Sequence, residues 1–257
     1  MSTTPTAMPA PIPEEAQPPI NSLGRIVGAL FDPVPTFESI ARRPSWIAPI
    51  VLMILVGAGM GAMLAQRVNW DQVIGHQLEN SPLASRLSAA QRQHQLEVGP
   101  ERSRIGAYVT GPLSGPIVVL FYSGLLLGAF NLFAGANLSF RQSVAIVAHA
   151  RLPAVISSIL VIAVLALRSP DAPGTFDPQN PLATSLSAVL PAGSAPWLVS
   201  LLGSFDLFIL WMLVLYAIGF SAANPKKVKL GTAFAIVFGL WAFWVIVKVG
   251  ATAMATL

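Results

Sequence analysis

Four ionisable side chains interrupt long apolar stretches of this sequence: His149, Arg151, Asp206 and Lys248. On insertion scales an isolated charge at mid-bilayer costs about 2.5–3.5 kcal/mol, so such groups find one another or carry a function. Asp206 and Lys248 sit in consecutive apolar stretches that turn back near residue 225. In an antiparallel hairpin their depths differ by about four helical rises, roughly 6 Å, which a flexible lysine can bridge. The pattern predicts an Asp206–Lys248 ion pair in the outer half of a helix bundle. Arg151 and His149 compete for the same carboxylate. Two chemistries fit: a structural lock of helix register, or a polar path for a solute or a proton. A relay with one acid is a poor one, which favours the lock.

Other chemistry lacks its residues. The chain has no cysteine, so disulfides, thiolate metal sites and thiol nucleophiles are absent. Ser114 within Gly111–Gly115 could pair with His149 as a nucleophile and base, but the glycine spacing is wrong for that role. Asp206 has no second acid for an aspartyl site. His76 and His94 lack close co-ligands for a metal. Gly57, Gly59 and Gly61 imitate a phosphate loop but follow no strand. The expectation is no enzyme, no catalytic residue, no metal and no cofactor.

The elements carrying these residues follow from composition. Of 257 residues, 54% are hydrophobic and only 10% charged, against about 25% charged in soluble domains. Mean hydropathy is +0.67. So few charges cannot clothe a water-facing surface, and an all-α polytopic membrane protein is expected. Five stretches can span: about 46–65, 112–133, 143–167, 197–220 and 230–254. Residues 1–21, rich in Pro, Thr and Ala, read as a disordered tail, leaving 22–257 as the membrane domain.

Before the first span, Leu23, Ile26, Val27 and Leu30 recur at helical spacing after Ser22, a plausible N-cap, and Asp32-Pro33 stops the helix. A second short helix carries Phe37, Ile40 and Ala41 on one side. These two helices either lie in the membrane interface or pack under the bundle. Between spans one and two, Trp70, Val73, Ile74 and Leu78 mark an amphipathic helix. Ser88 and Gln91 form a capping box for another, which Gly99-Pro100 is expected to end.

Gly57 with Gly61, and Gly124 with Gly128, give two small-residue faces for helix packing. Basic residues set orientation. With the N-terminus cytoplasmic, the inner loops hold Arg25, Arg42, Arg43, Arg141, Lys226, Lys227 and Lys229. The outer ones hold six arginines, five of them in the long 66–110 loop. Five spans then place the C-terminus outside.

The stretch RIVGALFDPVPTFESIARRPSW resembles the Yip domain family (the Ypt-interacting protein one family) in its bacterial branch. VNWDQVIGHQLE, SFRQSVAIVAHARLP, FDLFILWMLVLYAIGF and LWAFWVIVKVG extend the resemblance over roughly residues 23–255. It implies a five-helix membrane domain with a cytoplasmic N-terminus, expected in a bacterial inner membrane. Relatives in eukaryotes serve Rab-type GTPases. Their DLYGP-like and YGY-like motifs are replaced here by GPLSGP and FYSG in span two, so small-GTPase binding is not supported. The expected role is a membrane organiser or adaptor. Its partners would be the lipid bilayer and other membrane proteins or a second copy of the chain, not nucleic acid. The alternative is a small transporter or channel component using Asp206, Lys248 and Arg151.

Overall fold

The computed structural model describes residues 21–80, 86–167, 181–191 and 193–255. The expected disordered tail, apart from residue 21, lies outside the described residues, as do residues 168–180 and 192 of the loop after the third expected span. Ten α-helices are described: α1 Ser22–Phe31, α2 Pro33–Arg42, α3 Ile47–Arg67, α4 Trp70–Asn80, α5 Ala89–Ala134, α6 Phe140–Ala150, α7 Leu152–Leu167, α8 Pro196–Leu202, α9 Leu207–Ala223 and α10 Leu230–Ala255. The described residues form no strand.

Four of these units are long and apolar enough to cross a membrane: α3, α5, the α6–α7 pair and α10. The apolar α9 is shorter, at 17 residues. The fourth expected span is therefore not one helix. It breaks into α8 and α9 around Gly203–Asp206. The α6–α7 pair pivots at Arg151, because Pro153 lacks the N–H that would continue the ladder and disfavours helical backbone just before it.

Local signals explain the remaining ends. The N-cap of α1 is Asn21 rather than Ser22; its side chain accepts from Gly24 N at 2.6 Å. Pro33 opens α2, where its missing N–H costs nothing. The Ser88–Gln91 capping box is formed at the start of α5. Gly99-Pro100 does not end that helix, which runs for 46 residues through Pro100, Pro112 and Pro116. In its apolar part Thr110 and Ser114 bond back to Gly106 O and Gly111 O, a common accommodation in membrane helices. The helix stops at Gly135, in the left-handed region at φ 55°.

Membrane helices have no solvent-driven reason to adhere, so close packing and hydrogen bonds must hold them. The main core joins α2, α5, α6, α7, α9 and α10, with Ala29 of α1 and Met53 of α3. Phe37, Phe130 and Phe220 are fully buried, and the Phe130 and Phe220 rings stack 4.4 Å apart. Gly219 lets Ile146 and Phe37 approach α9 closely. The apolar side of α2 is thus inside the bundle. By contrast α1 exposes Leu23 (69%) and Phe31 (76%). A smaller core at the opposite end gathers Val68, Val73, Val161 and Leu165.

Side-chain bonds tie three chain reversals to one face. Asn131 holds the α5–α6 turn through both backbone groups of Leu138. Asn224, after α9, donates to Ala136 O at 2.9 Å, and Gln142 donates to Ala41 O at 3.2 Å. The segments before α3, between α5 and α6, and between α9 and α10 therefore share one end of the bundle.

Candidate functional site

The four intramembrane ionisable residues were expected around one carboxylate. The structure places them in separate settings. Asp206 is the N-cap of α9: its Oδ1 accepts from Phe208 N at 2.9 Å and Ile209 N at 3.1 Å. Its other oxygen accepts from the Thr184 hydroxyl. Residues 184–186 pair antiparallel with 205–207, through Leu186 N to Phe205 O and Leu207 N to Thr184 O. A carboxylate at a helix N-terminus satisfies orphan N–H groups and meets the positive end of the dipole. Asp206 thus has its partners without a cation.

Lys248 lies within α10 and is partly buried. It is not ion-paired with Asp206. The salt bridges among the described residues are Arg42–Glu38 at 3.8 Å and Arg104–Glu101 at 3.7 Å, both outside the apolar stretches. The expected Asp206–Lys248 contact is absent because the chain breaks at Gly203–Asp206, and that break turns the carboxylate to α9's own backbone.

His149 is buried and bonds to Ala145 O through Nδ1 at 2.8 Å. A carbonyl can only accept, so Nδ1 carries the proton. His149 does not serve Ser114, whose hydroxyl donates to Gly111 O. Arg151 sits at the α6–α7 pivot. Its Nη1 donates to the Tyr216 hydroxyl at 3.4 Å, and its guanidinium lies 5.6 Å from the centroid of the Tyr122 ring. The two tyrosine rings stack 6.1 Å apart. An arginine over an aromatic face gains about 0.5–2 kcal/mol, more when desolvated. Tyr122 and Tyr216 were not singled out in the sequence; aromatic residues at helical spacing to a charge on another helix carry no local signal.

A cavity of about 150 Å³ opens beside Arg151, between α3, α5 and α7. Ser114 and Ser158 line it with Gly57, Gly111 and Gly115. It is large enough for a few waters. Asp206 and Lys248 are not among its lining residues.

The glycine faces also divide. A Cβ at Gly57 would strike Gly111 O, and one at Gly61 would strike Ala107 O. The α3–α5 seam is therefore backbone against backbone, completed by Gly111 and by Gly115 against Met53. Gly124 and Gly128 have nothing within 4 Å of a Cβ position. They pack no helix of this chain among the described residues.

Beyond the seam α5 continues. Residues 89–104 overshoot the end of α3, which pairs with α5 near Ala107 and Tyr108. The charged section carries Arg92, Glu97, Glu101, Arg102 and Arg104. Along it α4 packs, with Ile74 against Gly99. The amphipathic helix expected over residues 68–78 forms as α4, Trp70–Asn80, and makes a two-helix arm with α5.

No solved structure matches the chain. The membrane protein YknW of Bacillus subtilis (strain 168) is 28% identical over 223 residues, covering 84% of this chain and 85% of that protein. The Yip1 domain model matches residues 27–249. An all-helical bundle with several apolar crossing helices, a membrane-protein relative and a match over most of its length agree: this chain is a multi-pass membrane protein and belongs to the Yip1 domain family.

Proposed function

We propose that this protein is a non-enzymatic membrane organiser or adaptor, acting through contacts with lipid and with other membrane proteins or a second copy of itself. The observation that carries this reading is the arm. Residues 89–104 of α5, with α4 along them, extend about 24 Å past the apolar part of the helix. Gln93 and Leu96 are exposed on it. Three of the four intramembrane ionisable groups, Asp206, His149 and Arg151, are in contrast absorbed locally by a helix cap, a backbone carbonyl and two tyrosines.

In this reading α9 is the fifth crossing. Its 17 residues reach about 26 Å, close to the ~30 Å hydrocarbon thickness. Asn224 at its end bonds to the α5–α6 turn, while its start pairs with residues 184–186. The face holding Arg25, Arg42, Arg43, Arg141, Lys226, Lys227 and Lys229 is cytoplasmic by the positive-inside rule. The N-terminus is then inside and the C-terminus outside, in a bacterial inner membrane.

Photo-crosslinking in native membranes tests the arm. A photoreactive residue at Gln93 or Leu96 should yield discrete protein adducts, and one at lipid-exposed Phe243 should not. Absence of protein adducts from both arm positions would remove the adaptor reading.

A second reading, a small transporter or channel component, rests on the cavity at Arg151. Proteoliposomes should then show a solute flux that Arg151→Gln abolishes while the protein remains folded. Equal flux from wild type and variant would end it.

A further inference from the structure

At the end of the bundle where α3 and α6 begin, an open basin of about 620 Å³ lies between α1, the α2–α3 link and α6. Its lining includes Asn21, Ser22, Ser45 and three arginines, Arg25, Arg43 and Arg141. No carboxylate lines it among the described residues. The nearby Arg42 has its own acid, Glu38.

Arg25 is 6% exposed. Among the described residues it is held by neutral groups alone. Nη1 donates to Arg43 O at 2.9 Å and Ser45 Oγ at 2.7 Å, and Nη2 donates to Ser39 Oγ at 3.1 Å. Nε is buried without a hydrogen-bond partner. A buried charge normally has a counter-charge, and an orphaned buried donor calls for an explanation. Burial and the neighbouring Arg43 charge pull Arg25 below the usual arginine range. Arg43 and Arg141 are exposed at the rim and make no salt bridge among the described residues.

We propose that this basin binds a phosphate-ester anion, gripped by Arg43 and Arg141 over the fixed charge of Arg25. Guanidiniums present paired donors that match phosphate oxygens. The surroundings favour a phospholipid headgroup as the source. Trp46 and Ile47 follow Ser45 directly and are exposed, as are Leu23 and Phe31 on α1. Acyl chains would lie along them, with tryptophan at its usual interfacial depth. The site does not depend on the α4–α5 arm, since a headgroup can occupy it whether or not a protein docks there.

The test uses the full chain, purified in uncharged detergent and stripped of lipid. Phosphatidylglycerol, phosphatidylcholine and sodium phosphate are titrated in turn, with binding followed by native mass spectrometry and thermal shift. The rim double variant Arg43→Gln with Arg141→Gln should bind phosphatidylglycerol about 30-fold more weakly. Lys226→Gln with Lys227→Gln, on the same face but outside the basin, should bind it like wild type. Phosphatidylcholine binding should be weak and indifferent to both pairs. Sodium phosphate binding with the same arginine dependence, and no preference for phosphatidylglycerol, would keep the anion site and overturn the lipid as its source. Equal loss in the arginine and lysine pairs, or no loss in either, would overturn the site itself.

Discussion

Gly57 and Gly61 on α3 have the same spacing as Gly124 and Gly128 on α5, yet among the described residues only the first pair meets another helix. Opposite Gly57 and Gly61 stand Gly111, Gly115 and the Ala107 carbonyl, so both surfaces are small and the backbones close together. Opposite Gly124 and Gly128 nothing among the described residues lies within contact of a Cβ. The spacing permits close approach; the facing residues decide whether it happens.

The strongest way to break this comparison is to fill the seam. Gly57→Leu or Gly61→Leu must push a side chain into backbone, which cannot yield as a flexible side chain would. Each should cost at least about 3 kcal/mol in unfolding measured in detergent micelles. Gly124→Leu should not destabilise the protein, because its side chain meets open space and leucine is a better helix former than glycine. Equal losses at both places would show the second pair to be covered as well.

A similar contrast between signal and surroundings exists at Asp206. If the carboxylate acts as a cap, Asp206→Ala should cost about 2 kcal/mol in the same assay. Asp206→Asn, which keeps an accepting oxygen, should cost less than about 1 kcal/mol. The charge swap Asp206→Lys with Lys248→Asp should not rescue either single swap. Rescue would restore the ion pair that the sequence suggested.

The smallest expected effect has the opposite sign. Gly124→Ala and Gly128→Ala should each stabilise the helix by about 0.5–1 kcal/mol, because alanine loses less backbone freedom and finds room. A loss of stability, or dissociation of an oligomer seen by crosslinking, would place a second chain on that face.

Much of the architecture was legible because its signals are local. Ser88 and Gln91 cap α5, Trp70 to Leu78 form an amphipathic helix, and the apolar runs at 47–67 and 230–255 are helices. The site was less legible because its geometry is set between elements. Pro100 reads as a helix end, yet α4 packed beside Gly99 accompanies α5 as it continues through it. Asp206 reads as a charge within a span, although Gly203 and Ser204 just before it were signs of a break. The arginine basin joins residues more than a hundred positions apart, Arg25 and Arg141, and no window of sequence displays that meeting.

The length of α5 has a spatial consequence. A rod of 46 residues measures about 69 Å, more than twice the oily layer it crosses. Its Gly111–Gly115 stretch is clasped by α3 and its far end is stiffened by α4. Under the proposed adaptor reading, anything that settles on its tip would be kept at a set stand-off from the headgroups, and the helix would work as a ruler between the bilayer and its partner.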